Sequence, residues 1–139
     1  MTPFYWALGA ACVWGFAPIL EKIGLAKIAP FPGLFWRSLG VMVGALVLLV
    51  LRFAEIKPAL AVPPSGWGWV FAGGMLASIV GQIFFYHALK GGEASMAVPV
   101  GASYPLIAFV LGILVLGEKF TFAKLGGVGF VMLGVFLLK

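Results

Sequence analysis

The chain has no aspartate, one histidine (His87), one cysteine (Cys12) and four glutamates as its only acidic residues. A lone cysteine inside an apolar run supports neither a disulfide nor a thiolate metal site. A lone histidine excludes the multi-histidine constellations that hold catalytic zinc. The glutamates read as lying outside the apolar runs or at their edges, so a paired-carboxylate active site would have to be assembled across loops. No enzyme activity, metal or cofactor is therefore expected. Charged residues make up 9% of the chain against 63% hydrophobic, which leaves too little polar surface for a water-soluble domain.

What is present is a series of long apolar runs, at residues 3–20, 34–53, 67–89, 94–116 and 121–138. Each approaches the roughly 20 residues that a helix needs to cross the hydrocarbon layer. Membrane-barrel strands would be about half as long and would alternate, whereas Val41 to Leu51 shows no alternation. Lipid requires backbone polar groups to be paired within each segment, which leaves helices. The expected fold is an all-α membrane protein, a single domain over residues 1–139 with five transmembrane helices. The first run has no basic leader and no small-residue cleavage pattern after Ile19-Leu20-Glu21-Lys22, so it is expected to be a retained span rather than a signal peptide.

The connections are short and carry turn residues: Pro30 to Gly33, Pro63 to Gly66, Lys90 to Glu93 and Gly117 to Lys119. Short loops make consecutive spans antiparallel neighbours. Trp6, Trp36, Trp67 and Trp69 lie toward span ends, where amphipathic rings favour the headgroup region. An odd number of crossings puts the two ends of the chain on opposite faces, so a second copy can insert inverted. A net charge of +5 would suggest nucleic acid in a soluble protein. Here the basic residues divide between the faces, Arg52, Lys57, Lys119 and Lys124 on one and Lys22, Lys27, Arg37, Lys90 and Lys139 on the other. That near balance gives little positive-inside bias, and both insertion orientations are expected.

Polar residues inside spans are costly in lipid and mark function. Gly74, Ser78, Gln82 and Tyr86 recur every four residues and share a helical face. Ser95, Pro99 and Ser103 do the same in the fourth span, with Tyr104 and Pro105 adjacent. Two such stripes suggest a cavity, although small and polar residues also join packed membrane helices. The first span adds Trp14, Pro18 and Lys22 at steps of four, with Glu21 beside them. Pro18 frees a backbone carbonyl, as in transporter helices that line a site. Trp14 is mid-span, which fits a cavity wall or a packed core.

Arg37 is read near the start of the second span, where the helix dipole is already positive. Three partners are open to it: lipid headgroups reached by snorkelling, Glu21, or an anionic or zwitterionic substrate. Small residues recur in close-packing registers, Gly40 and Gly44 in the second span, Gly73, Ala77 and Gly81 in the third, and Ala123, Gly126, Gly127 and Gly134 in the fifth. The fifth-span set is the candidate dimer face.

Trp14-Gly15 followed by Pro18, Lys22, Pro32 and Arg37, then Ala88 to Gly92, Pro99, Tyr104-Pro105, Leu116-Gly117-Glu118 and the glycine-rich Lys124 to Leu138, resembles one EamA-type half of the drug/metabolite transporter superfamily. The resemblance covers essentially the whole chain. It implies a ten-helix secondary transporter of two inverted five-helix repeats, supplied by two copies of one chain as an antiparallel homodimer in the cell membrane of a bacterium or archaeon. The site of such transporters lies near the midplane at the repeat interface. The related small multidrug resistance proteins have four helices and a carboxylate deep in the first. Glu21 is read here at a span end, so that exchange chemistry is not expected.

Arg37 and Lys22 favour a carboxylate-bearing metabolite such as an amino acid, and Trp14 and Tyr104 suit an apolar side group. The alternative is a non-transporting accessory subunit of a heteromeric flippase or transporter, which would need a different partner. The polar stripes favour transport.

Overall fold

A computed structural model describes residues 2–138, and every regular element among them is helical. Lys139, counted above in the charge balance, lies outside the described residues. The chain divides into two compact units, Met1–Gly91 and Gly92–Lys139.

In the first unit, α1 (Pro3–Leu25) and α2 (Pro30–Leu51) both start on a proline. Proline at the first helical position costs nothing, because its missing N–H would have had no intrahelical partner. The preceding Thr2 and Ala29 are extended, the conformation that a following proline favours. Glu21 and Lys22 do not end α1, which runs on past Gly24, and α2 takes up Pro30 and Pro32 within its first turn. α1 therefore runs five residues past the expected 20, since charge alone does not stop a helix, and α2 starts four residues before the expected 34 and ends two before 53. After the short α3 (Phe53–Ala59), whose exposed Arg52–Glu55 pair sits at 2.6 Å, comes a third span in three parts. These are α4 (Pro64–Met75), a π-helical segment (Leu76–Gly81) and α5 (Gln82–Gly91).

The core of this unit is where α1, α2 and α5 meet, and it contains Pro18, Leu25, Gly33, Leu34, Tyr86 and Leu89. Gly33 makes this packing possible: a Cβ there would stand 2.8 Å from Leu25 Cδ2 and 3.3 Å from Tyr86 Cε2. Almost every other large apolar side chain faces outward, including Trp14, Phe16, Val50, Trp69 and Phe84. Apolar side chains directed outward all round are stable only against lipid or other protein.

In the second unit, α6 (Ala94–Gly101) and α7 (Pro105–Leu116) are separated by a turn at residues 102–104. Pro105 opens α7 and forces that interruption. α7 closes on Gly117, whose φ of 66° is left-handed, and Glu118 N–H reaches back to Gly112 O at 3.0 Å. The N–H of Gly117 reaches the same oxygen, and the left-handed turn that glycine permits folds the chain back far enough for both bonds. Thr121 caps α8 (Phe122–Leu137) through its hydroxyl, which accepts from Lys124 N–H at 3.2 Å, and α8 packs on α7.

Four helical stretches are long and apolar enough to cross a membrane: Pro3–Leu25, Pro30–Leu51, Pro64–Gly91 and Ala94–Leu116. The fifth, α8, has 16 residues, about 24 Å at 1.5 Å per residue, against a hydrocarbon core of about 30 Å. Of the five spans expected, four have full length among the described residues, and the fifth run forms a shorter apolar helix. The chain is a multi-pass membrane protein.

Candidate substrate site

Glu21 and Arg37 lie deeper than the sequence suggested. With α1 continuing to Leu25, Glu21 stands about 6 Å along the axis from that helix's last residue, and Arg37, the eighth residue of α2, stands about 10 Å from its first. Both residues are therefore interior to their helices, Glu21 about one turn from the end of α1 and Arg37 about two turns into α2 rather than in its first. An ionised side chain at such a position needs a partner, and each supplies the other's. Arg37 Nε donates to Glu21 Oε1 at 3.1 Å, with the Arg and Glu side chains 26% and 16% exposed.

The third span completes the cluster. Arg37 Nη1 donates to the backbone oxygen of Ser78 at 3.4 Å. Ser78 lies in the π segment, where the backbone N–H of Gln82 turns to Ile79 O rather than to the Ser78 oxygen an α-helix would offer. The Gln82 amide, turned with its oxygen toward the guanidinium, accepts from Arg37 Nη2 at 3.1 Å and Nε at 3.0 Å. Tyr86, buried against Gly33, has its hydroxyl beside the Glu21 carboxylate. One cation thus meets one carboxylate, one amide and one carbonyl. The wider turn of a π segment lets Ser78 and Gln82 address the same guanidinium.

Chemically this is an arginine fork held in fixed orientation between helices, with 26% of the side chain exposed. A guanidinium presents planar paired donors that match a carboxylate. Glu21 occupies part of that capacity and keeps the cluster near neutral, as a low-dielectric setting demands.

The remaining candidates fall elsewhere. Pro18 is buried one turn before Glu21 and Lys22, whereas Trp14 is 64% exposed. Lys22 donates to the backbone oxygen of Leu89 at the end of α5. In the second unit, Pro99 is half-buried and the Ser103 hydroxyl bonds Val100 O at 2.7 Å, while Tyr104 is exposed. On α8, Ala123, Gly126, Gly127 and Gly134 are exposed, and the three glycines have open space at their Cβ positions. One contributor, Gly33, escaped the sequence reading, although its place one turn ahead of Arg37 was a signal; Ser78 was named there, but its use through the backbone carbonyl has no signal in its side chain.

Helices of span length with apolar side chains directed outward define a multi-pass membrane protein. The EamA-like transporter family matches residues 1–139, and the chain belongs to that family. It is 25% identical to an uncharacterized transporter of Sinorhizobium sp, over 96% of this chain and 94% of that one. It is also 25% identical to an uncharacterized protein of Methanocaldococcus jannaschii, over 99% of this chain and 96% of that one. An uncharacterized transporter of Archaeoglobus fulgidus is 24% identical over 99% of this chain but only 48% of its own length. Four of the matched relatives are longer, and the chain spans between 40% and 48% of each. No solved structure matches.

Proposed function

We propose that this chain is one repeat of a secondary transporter of small carboxylate-bearing metabolites, amino acids among them, and that two copies form the working unit as an inverted pair. The observation that carries the substrate class is the Arg37 cluster. A guanidinium oriented by Glu21, Gln82 and the Ser78 carbonyl is suited to a carboxylate and is expensive to keep in a span for packing alone. Support for a paired unit comes from length, because the chain accounts for nearly all of some relatives and about half of others. The exposed small-residue face of α8 would join the copies, and α8 would cross as a fifth, shorter span with local thinning of the bilayer.

Alternating access would then expose Arg37 and Gln82 to each face of a bacterial or archaeal cell membrane in turn. The test is reconstitution of the purified chain alone into liposomes, with uptake of a panel of radiolabelled amino acids, other carboxylates and organic cations measured with and without a pH gradient. Saturable uptake of a carboxylate by the chain alone is expected. Uptake that appears only when a second, different chain is added would assign it to an accessory role.

A further inference from the structure

At the end of the first unit opposite the α2–α3 junction, two lysines cross between helices. Lys22 of α1 donates to Leu89 O near the end of α5, and Lys90 of α5 donates to Leu25 O at the end of α1 and, at 3.0 Å, to Ile28 O in the connection that follows. Each lysine thus stands at the negative pole of its neighbour. Between them lies a cavity of about 290 Å³ lined by Lys22, Leu25, Ala26 and Lys90. Two full positive charges facing two helix ends worth about half a negative charge each leave this rim net cationic, and Lys27, exposed in the next turn, adds to it. Residues 22–33 and 86–92 contain no acidic side chain, and Glu21 is engaged by Arg37.

Structural capping alone would require the two ammonium groups but not a cavity opening between them. A basic pocket between helix ends at the headgroup level is suited to an anionic phosphate. The apolar Leu25 and Ala26 on its wall suit a ligand that also carries an acyl chain.

We propose that Lys22 and Lys90 form a phosphate-binding site at this membrane face, occupied by the phosphodiester headgroup of an anionic lipid. The site is separate from the Arg37 cluster and stands whether or not that cluster binds substrate. One ammonium near the surface changes affinity for an anionic headgroup by about fivefold.

The test uses the whole chain purified in detergent. Thermal stability and lipid adducts in native mass spectrometry are followed on titration with short-chain phosphatidylglycerol, phosphatidylcholine or inorganic phosphate. Phosphatidylglycerol is expected to bind and stabilise well beyond phosphatidylcholine. Lys90→Gln should reduce that preference about fivefold, and Lys22→Gln with Lys90→Gln should abolish it. Lys57→Gln, in α3, should leave it intact. If the double variant does not fold, the roughly fivefold reduction in the single Lys90→Gln variant carries the test. Equal effects of inorganic phosphate and phosphatidylglycerol would keep the phosphate chemistry but make the ligand a soluble one. No preference for phosphatidylglycerol or phosphate over phosphatidylcholine, or a preference undiminished by loss of Lys90, overturns the proposal.

Discussion

Removing either member of the Glu21–Arg37 pair should cost more than its own contacts, because the other charge is left within a span. In Glu21→Ala, Arg37 keeps Gln82 and the Ser78 carbonyl but loses its only carboxylate. In Arg37→Ala, Glu21 keeps only the nearby Tyr86 hydroxyl. A hydrogen bond to a charged group contributes about 1.5–3 kcal/mol, and breaking a fully buried pair costs about 3–5 kcal/mol. With side chains 26% and 16% exposed, the lower part of these ranges applies, about 2 kcal/mol for Glu21→Ala and about 3 kcal/mol for Arg37→Ala. The double variant should cost about 3 kcal/mol rather than the sum, a coupling of about 2 kcal/mol. Arg37→Lys should fall between wild type and Arg37→Ala, since an ammonium keeps the charge but loses the fork. Reversible unfolding in mixed micelles, followed by tryptophan fluorescence, measures all four variants. Additivity within about 0.5 kcal/mol would show that the pair is not energetically linked and would refute this reasoning.

Gly33→Ala should destabilise the first unit by about 1–3 kcal/mol, because its Cβ would meet Leu25 Cδ2 at 2.8 Å where Leu25 is only 2% exposed. Gly24→Ala, with open space around it, is the control in the same melting experiment. Ser78→Ala should leave both folding and transport near wild type, since Arg37 uses the backbone oxygen there. Gln82→Ala should lower transport with the yield of folded protein unchanged, and parallel loss of both would identify Gln82 as helix packing. Single cysteines placed in the 55–65 connection and at the C-terminal end, on a Cys12→Ser background, should each label from both membrane faces. Labelling of each from one face alone would rule out inverted pairing by dual insertion.

Helical class and membrane location were legible because lipid allows so few solutions: apolar runs of span length, short turns and sparse charge point one way. Span ends were less legible. Hydropathy falls at Glu21 and Lys22, yet the helix continues, because helix termination depends on backbone geometry rather than polarity. The same distinction hid the depth of Arg37, since Pro30 and Pro32 look like a loop and are instead the first turn of α2. Gln82, Ser78 and Tyr86 were found from their four-residue spacing, yet Ser78 contributes its carbonyl, which no side-chain pattern encodes. Trp14 was ambiguous for a physical reason: an aromatic residue in mid-span looks alike in sequence whether it faces a cavity, a core or, as within this unit, the outside.

The central claim is that Arg37 is a substrate group inside a transporter. The most direct measurement is counterflow of a labelled carboxylate metabolite into liposomes holding equal amounts of folded wild type, Arg37→Ala and Arg37→Lys, with internal substrate varied to obtain KM. The account predicts saturable counterflow by wild type and a loss of about tenfold or more in Arg37→Ala. It also predicts a raised KM in Arg37→Lys, where charge remains without the paired donors. Counterflow that is undiminished in Arg37→Ala, at equal folded protein, would contradict it.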